Sequence, residues 1–191
     1  MSNRGCNVDA PVRARYLTFG SPQLLEPEIE GVVAAMRSSW IGTGPRAKEF
    51  KQAFASYIGT PHAVAVNSFT AALHLAFVAL GIGPGDEVIV PAMAFASTAN
   101  VVIQAGGVPV FADVDRSTMC LDPADAARKI TPRTRAILPV HFAGRACDPD
   151  ALMALATAHG LHLVEDCAHA VETLVRGQHA GTFGDFGAFS F

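Results

Sequence analysis

The sequence predicts an α/β fold, a mostly parallel sheet with helices on both faces, and three observations carry that expectation. Short apolar runs (EVIVP, VPVF, AILPV, LHLV) alternate with helical segments through connections of a few residues, which is the pattern of repeated βα units. Charged residues make up only 16% of the chain and mean hydropathy is +0.30. That leaves too little polar surface for a solvated antiparallel sheet or a long helical bundle, and it suits strands buried on both faces. Finally, the run Leu161–Val164 ends in Glu165 and Asp166. An apolar run closed by an acid reads as a buried strand bringing that acid to the sheet's carboxyl edge, where open parallel sheets bind ligands.

The 191 residues divide into an irregular lead-in over 1–20 and one domain over 21–191. From Glu28, the residues Ile29, Val32, Val33 and Met36 fall at helical spacing. The stretch Trp40–Pro45 breaks that helix. A second amphipathic helix carries Phe50, Phe54 and Tyr57 and ends at Gly59. His62–Asn67 (HAVAVN) is expected as a short strand, with Ser68-Phe69-Thr70 leading into a helix ended by Gly81. Gly83-Pro84-Gly85-Asp86 is a turn, and Glu87–Pro91 the next strand. Phe95-Ala96-Ser97-Thr98 opens a helix closed by Gly106-Gly107. Val108–Phe111 is a strand, followed by an acidic connection through Asp113 and Asp115. Asp122-Pro123 and Asp148-Pro149 each look like an N-cap with proline in the first helical position, starting helices that run to about Ile130 and His159. Ala136–Val140 and Leu161–Glu165 are strands. The chain then turns through Gly177, Gly181, Gly184 and Gly187 into a further buried strand that reaches Phe191.

Composition also narrows the function classes. The formal charge is −3, and the three lysines (Lys48, Lys51, Lys129) form no cluster, so a nucleic-acid surface is not expected. Cys6, Cys120, Cys147 and Cys167 lie far apart with no CxxC pair, as in reduced thiols of a cytoplasmic protein. The opening residues lack the apolar run of a signal peptide. The most apolar window, Thr70–Ile82, is too short for a membrane span.

Several residues could carry chemistry. Ser68, Phe69 and Thr70 stand where a strand gives way to a helix start, whose free N–H groups cradle anions; equally, Ser68 or Thr70 could simply cap the helix. Phe95 could stack on a flat ligand at the sheet edge or belong to the core. Asp166, in apolar surroundings, needs a cationic or proton-bearing partner. A protonated heterocyclic nitrogen would serve, and so would an arginine or a helix cap. His169 follows within reach of the same space. His141 could line that edge or satisfy a backbone group. No metal motif is present, since His159, His162, Glu165 and His169 match no ligand spacing.

Taken together, WIGTGP at 40–45, NSFTAALHLA at 67–76, GIGPGDEVIVPAMAFASTAN at 81–100, PVFADVD at 109–115, ILPVHFAG at 137–144, VEDCAHA at 164–170 and GDFGAFSF at 184–191 resemble the DegT/DnrJ/EryC1/StrS family of sugar aminotransferases. The motifs stand in that family's order and spacing from about residue 18 onward. The resemblance implies part of the large domain of an aspartate aminotransferase-like fold that uses pyridoxal 5'-phosphate. It implies that Asp166 pairs with the pyridine nitrogen and that Phe95 stacks on the ring. Ser68, Phe69, Thr70 and Ser190 would contact the phosphate. His169, where many relatives have glutamine, would lie beside the ring's phenolic oxygen. Thr43 and Gly44 would sit in a loop near the substrate and a homodimer interface. Phe69 takes a place often held by a smaller residue.

The implied reaction moves an amino group, with glutamate as donor, to a nucleotide-linked keto sugar in polysaccharide or amino-sugar biosynthesis. In the family, a Schiff-base lysine follows the FSF segment by a few residues, beyond Phe191. A chain without it is expected to be inactive alone. The alternatives are a pyridoxamine-phosphate-dependent keto-sugar dehydratase, which carries histidine at that place, or an inactive truncated or regulatory homologue.

Overall fold

The structure, a computed structural model, describes residues 20–191. The described residues form two compact units, the first ending at Arg46 and the second spanning Ala47–Phe191. In the first, α1 (Glu26–Arg37) has Pro27 in its first turn, and Glu28 accepts a 2.7 Å hydrogen bond from the Leu25 N–H. That satisfies one of the donors a helix start leaves free. Its apolar residues Ile29, Val32 and Met36 are exposed. Thr43 and Gly44 lie in the bend before α2 (Pro45–Ile58), where the Trp40 indole N–H donates to the Thr43 carbonyl at 3.0 Å. A side chain at Gly44 would run into the Trp40 ring.

The second unit is organised on five parallel strands: β1 (Glu87–Pro91), β2 (Val108–Ala112), β3 (Thr134–Ile137), β4 (His162–Cys167) and β7 (Phe186–Phe189). Their order across the sheet is β2-β1-β3-β4-β7. A small antiparallel hairpin, β5 (Leu174–Val175) with β6 (Gln178–His179), lies between β4 and β7 in the chain. The helices are α3 (Phe69–Ala79), α4 (Ala96–Gln104), α5 (Pro123–Lys129) and α6 (Pro149–His159). Asp122 and Asp148 cap α5 and α6 by accepting from Ala124 N at 2.9 Å and Ala151 N at 3.1 Å.

Alternating side chains along each strand point to opposite faces, and each face has its own core. Val88, Val90, Ala136, Leu138, Val164 and Ala188 pack with Leu73, Phe77, Val101 and Val102 of α3 and α4. Ile89, Ala112, Ile137 and Leu163 pack with Ala126 of α5 and Leu152 of α6. Helices therefore cover both faces of a parallel sheet, as the sequence predicts. Sheet order reverses between β1 and β3, and such a switch point is where open parallel sheets hold ligands.

Several expectations change. The last strand ends at Phe189, and Phe191 is 81% exposed rather than buried. His62–Asn67 forms no strand: it has alternating β-branched residues, but Val64 is 80% exposed and no ladder forms on it. Strand character needs a partner to take up the backbone N–H and C=O groups. The strand Ala136–Val140 is shorter as a regular ladder, ending at Ile137 before Pro139, which has no N–H to give. Pairing resumes beyond it, with Val140 opposite Asp166. The strand after α6 is longer than expected and runs to Cys167, so Glu165 and Asp166 lie inside β4. Among the described residues, no helix is long and apolar enough to cross a membrane.

The core assignment is testable. Leu152 is 1% exposed and Val78 53%. Leu152→Ala is expected to cost about 2–5 kcal/mol in denaturant unfolding, and Val78→Ala less than about 0.5 kcal/mol. Equal costs would contradict the two-faced core.

Candidate functional site at the carboxyl edge of the sheet

The connections set which groups meet. The turn after α3 feeds directly into the start of β1, so α3 runs against the strands and its N-terminus lies at their carboxyl edge. α4 begins at that edge, just past β1, and Ser190 follows β7 there. Ser68, Phe95, Asp166 and Ser190 thus come from four segments to one edge, and Asp166 and Ala188 are register partners.

Glu165 and Asp166 are adjacent and both buried, at 1% and 3% exposed, but they do different work. Glu165 faces the α5/α6 side of the sheet. It accepts from Gly181 N at 2.8 Å, Phe183 N at 2.8 Å and Gly184 N at 2.9 Å, and pairs with His141 Nε2 at 2.9 Å. A carboxylate has about four acceptor sites, so Glu165 is saturated. His141 is equally engaged: Cys147 N donates to its Nδ1 at 3.1 Å, which puts the ring proton on Nε2, facing Glu165. Ligand atoms of His141, Glu165 and Cys167 lie within 4.8 Å of one another, yet both ring nitrogens and both carboxylate oxygens already serve protein groups. This knot ties the 177–184 turns to β4. His141 satisfies a backbone group and a carboxylate, the second of the two roles the sequence left open for it.

Asp166 faces the α3/α4 side. Thr98 Oγ1 donates to its Oδ2 at 3.0 Å and Ala168 N to its Oδ1 at 3.2 Å. Among the described residues, no lysine or arginine pairs with it. Burial pushes its carboxyl above the usual carboxylate range, against the Ala168 and Thr98 hydrogen bonds and the nearby His141 and His169 rings. About half its acceptor capacity is free.

Phe95 is the N-cap residue of α4 and is 80% exposed, so it is not part of the core. Its carbonyl accepts from Thr98 N at 3.0 Å. The residue bonded to Asp166 is therefore one helical turn from the exposed ring. Ser68 caps α3, accepting from Ala71 N at 3.1 Å. Phe69 packs against the α3/α4 core, leaving its backbone N–H rather than its side chain at the helix start. Thr70 is half-buried and Ser190 exposed. His169 is exposed, its Nδ1 accepts from Ala143 N at 3.4 Å, and its ring meets Phe142 edge-on. With Ala168, Glu172 and Leu174 it lines a recess of about 580 Å³. Neither Phe95 nor Asp166 lines that recess. Thr43 and Gly44 belong to the first unit.

Two features escape a reading of spacing. The Thr98–Asp166 bond spans 68 positions, and the Glu165 cradle is built from backbone N–H groups, which carry no residue signature. The composition of the edge nonetheless fits a flat, anionic, proton-bearing heterocycle. It has a free aromatic face, a helix start whose N–H groups favour anions, and a dry acid with spare acceptor sites.

The state of Asp166 makes a pH prediction. A carboxyl whose folded pKa lies above its unfolded value stabilises the fold at low pH, and that contribution is lost as pH rises through the folded value. In the cofactor-free protein, Asp166→Asn is expected to gain stability relative to the parent as pH rises above 3.8, the ordinary Asp value. Urea unfolding between about pH 4 and 8 reads this, and a difference independent of pH would refute it.

Known proteins share this sequence pattern and this fold. The DegT/DnrJ/EryC1/StrS aminotransferase profile matches residues 22–191. The chain is 48% identical over 179 residues to the spore coat polysaccharide biosynthesis protein SpsC of Bacillus subtilis, covering 94% of this chain and 46% of SpsC. Among solved structures, Spr1654 from Streptococcus pneumoniae in its PLP form superposes with a TM-score of 0.87 at 38% identity, covering 92% of this chain and 48% of that one. 3-Amino-5-hydroxybenzoic acid synthase superposes with 0.85 at 40% identity, covering 89% and 45%. The chain spans about half the length of the curated relatives it matches. With the profile covering nearly all described residues, the chain belongs to the DegT/DnrJ/EryC1/StrS aminotransferase family.

Proposed function

We propose that this chain is the cofactor-binding part of a pyridoxal 5'-phosphate-dependent aminotransferase. It would transfer an amino group from glutamate to a nucleotide-linked keto sugar, in polysaccharide or amino-sugar biosynthesis. The observation that carries the reading is Asp166: a buried carboxylate with two hydrogen bonds, no cationic partner among the described residues and acceptor sites to spare. Its relatives' names, a polysaccharide biosynthesis protein and a PLP-form structure, agree with that assignment. Residues 21–191 are taken as part of one large cofactor-binding domain of a cytoplasmic homodimer, with Thr43 and Gly44 in a loop at substrate and interface.

When bound, the cofactor supplies the electron sink for amino transfer. Asp166 holds a proton at the ring nitrogen, and its apolar surroundings strengthen that pairing relative to water. Phe95 covers one ring face. The α3 N-terminus, with Ser68, the Phe69 N–H and Thr70, holds the phosphate, joined by the Ser190 hydroxyl. Because His169 Nδ1 accepts from Ala143 N, its proton sits on Nε2, and the ring offers a donor to the phenolic oxygen. None of Lys48, Lys51 and Lys129 is assigned to covalent attachment; Asp166, Phe95, His169, Ser190 and the α3 N-terminus bind and orient the cofactor without linking to it.

Two measurements test this. In the complete holoenzyme, Asp166→Ala is expected to reduce glutamate-dependent amination of a panel of nucleotide-linked keto sugars by at least about a hundredfold; near-parental turnover removes Asp166 from the role. Borohydride reduction in the presence of cofactor should leave Lys48, Lys51 and Lys129 unlabelled by mass spectrometry, and stoichiometric labelling of any of them contradicts the assignment.

A further inference from the structure

Thr98 is fully buried in the first turn of α4. A threonine hydroxyl in a helix ordinarily bonds back to the preceding turn. This one instead donates across to the sheet, to Asp166 Oδ2 at 3.0 Å, while its own N–H holds the Phe95 carbonyl at 3.0 Å. Thr98 is thus bonded to both candidate ring-binding residues, through its side chain to the acid and through its backbone to the aromatic. The second bond on Asp166, from Ala168 N, engages the other oxygen.

We propose that Thr98 is a positioning residue: its hydroxyl fixes the Asp166 carboxylate in one orientation, leaving the remaining acceptor sites aimed at the protonated group the site binds. This rests on the reading of Asp166 given above and adds a residue to it. A carboxylate that is 3% exposed has no water to hold its charge, so each donated hydrogen bond favours the ionised form. Removing the Thr98 hydroxyl leaves Oδ2 without that donor and frees the side chain to turn.

The charged and titratable groups around Asp166 are few. His141 follows the β3 edge, donates its backbone N–H to the Asp166 carbonyl at 3.0 Å, and has its ring committed to Glu165. His169 is three residues on. Glu165 and Cys167 flank Asp166 on the strand but face the other side. The β7 partner is Ala188, and α4 has no acid in its first turn and no base in its last. No other donor from α4 bonds to Asp166 in place of Thr98.

The test uses the complete protein and pyridoxal 5'-phosphate, with Thr98→Val, Thr98→Ala, Thr98→Ser and Asp166→Asn beside the parent. Cofactor Kd is measured by absorbance across pH, and folding is checked by circular dichroism. Thr98→Val and Thr98→Ala are expected to weaken binding about tenfold, as loss of a hydrogen bond to a charged group implies, and to move the acid limb of the binding profile to higher pH. Thr98→Ser should restore both. Thr98→Ala guards against a Val variant that does not fold. Parental affinity and an unmoved acid limb in Val and Ala, with binding lost in Asp166→Asn, overturn the Thr98 proposal alone. Unchanged binding in Asp166→Asn overturns the reading of Asp166 and this proposal with it. A uniform loss in all three Thr98 variants, Ser included, assigns the residue a packing role and also overturns it.

Discussion

A carboxylate taken out of water must be repaid by hydrogen bonds or positive charge, and β4 buries two in succession. Glu165 is repaid in full by three backbone N–H groups and His141. Asp166 is repaid only in part, by Thr98 and Ala168. Strand alternation sends one acid to each face, so the same two-residue sequence serves two ends. On one face the acid closes the turns that lead into β7. On the other it stays dry, under-coordinated and raised in pKa. That imbalance costs the fold stability and leaves acceptor sites on Asp166 that protein groups do not use.

The rest of the second unit serves to hold Asp166 where it is. The parallel order β2-β1-β3-β4-β7 brings the start of α4 and the N-terminus of α3 to the edge where β4 ends. Pro139 interrupts the β3 ladder beside Asp166, yet the backbone stays matched: Asp166 N donates to the Pro139 carbonyl at 2.9 Å, and His141 N to the Asp166 carbonyl at 3.0 Å. The Asp166 main chain is therefore clamped on the β3 side and its side chain from α4. At the opposite end of the sheet, buried Glu87 takes hydrogen bonds from Thr131 Oγ1 and Arg133 Nε, the latter at 2.8 Å, tying the starts of β1 and β3 together.

Much of this architecture was legible in the sequence because its signals are local. Glu87–Pro91 stands as read, and the two Asp-Pro caps are formed as their spacing implies. Asp166 could be picked out because an acid at the end of an apolar run is conspicuous. What was not legible depends on distant pairing. HAVAVN has the composition of a strand, but a strand exists only with a neighbour, and its composition names none. Phe95 could have been core or surface, and which one depends on how α4 lies on the sheet. Thr98 drew no notice except as part of a helix start, since its partner lies 68 positions away.

The assigned role of Asp166 turns on one proton, that of the cofactor's ring nitrogen. The most direct test is a nitrogen NMR measurement on the complete protein bound to pyridoxal 5'-phosphate labelled with 15N in the pyridine ring. A chemical shift in the protonated range that persists above the pH at which the free cofactor's ring nitrogen loses its proton is the predicted result, with reversion to the unprotonated range in Asp166→Ala. An unprotonated shift in the parent protein, or one that Asp166→Ala leaves unchanged, would contradict the account.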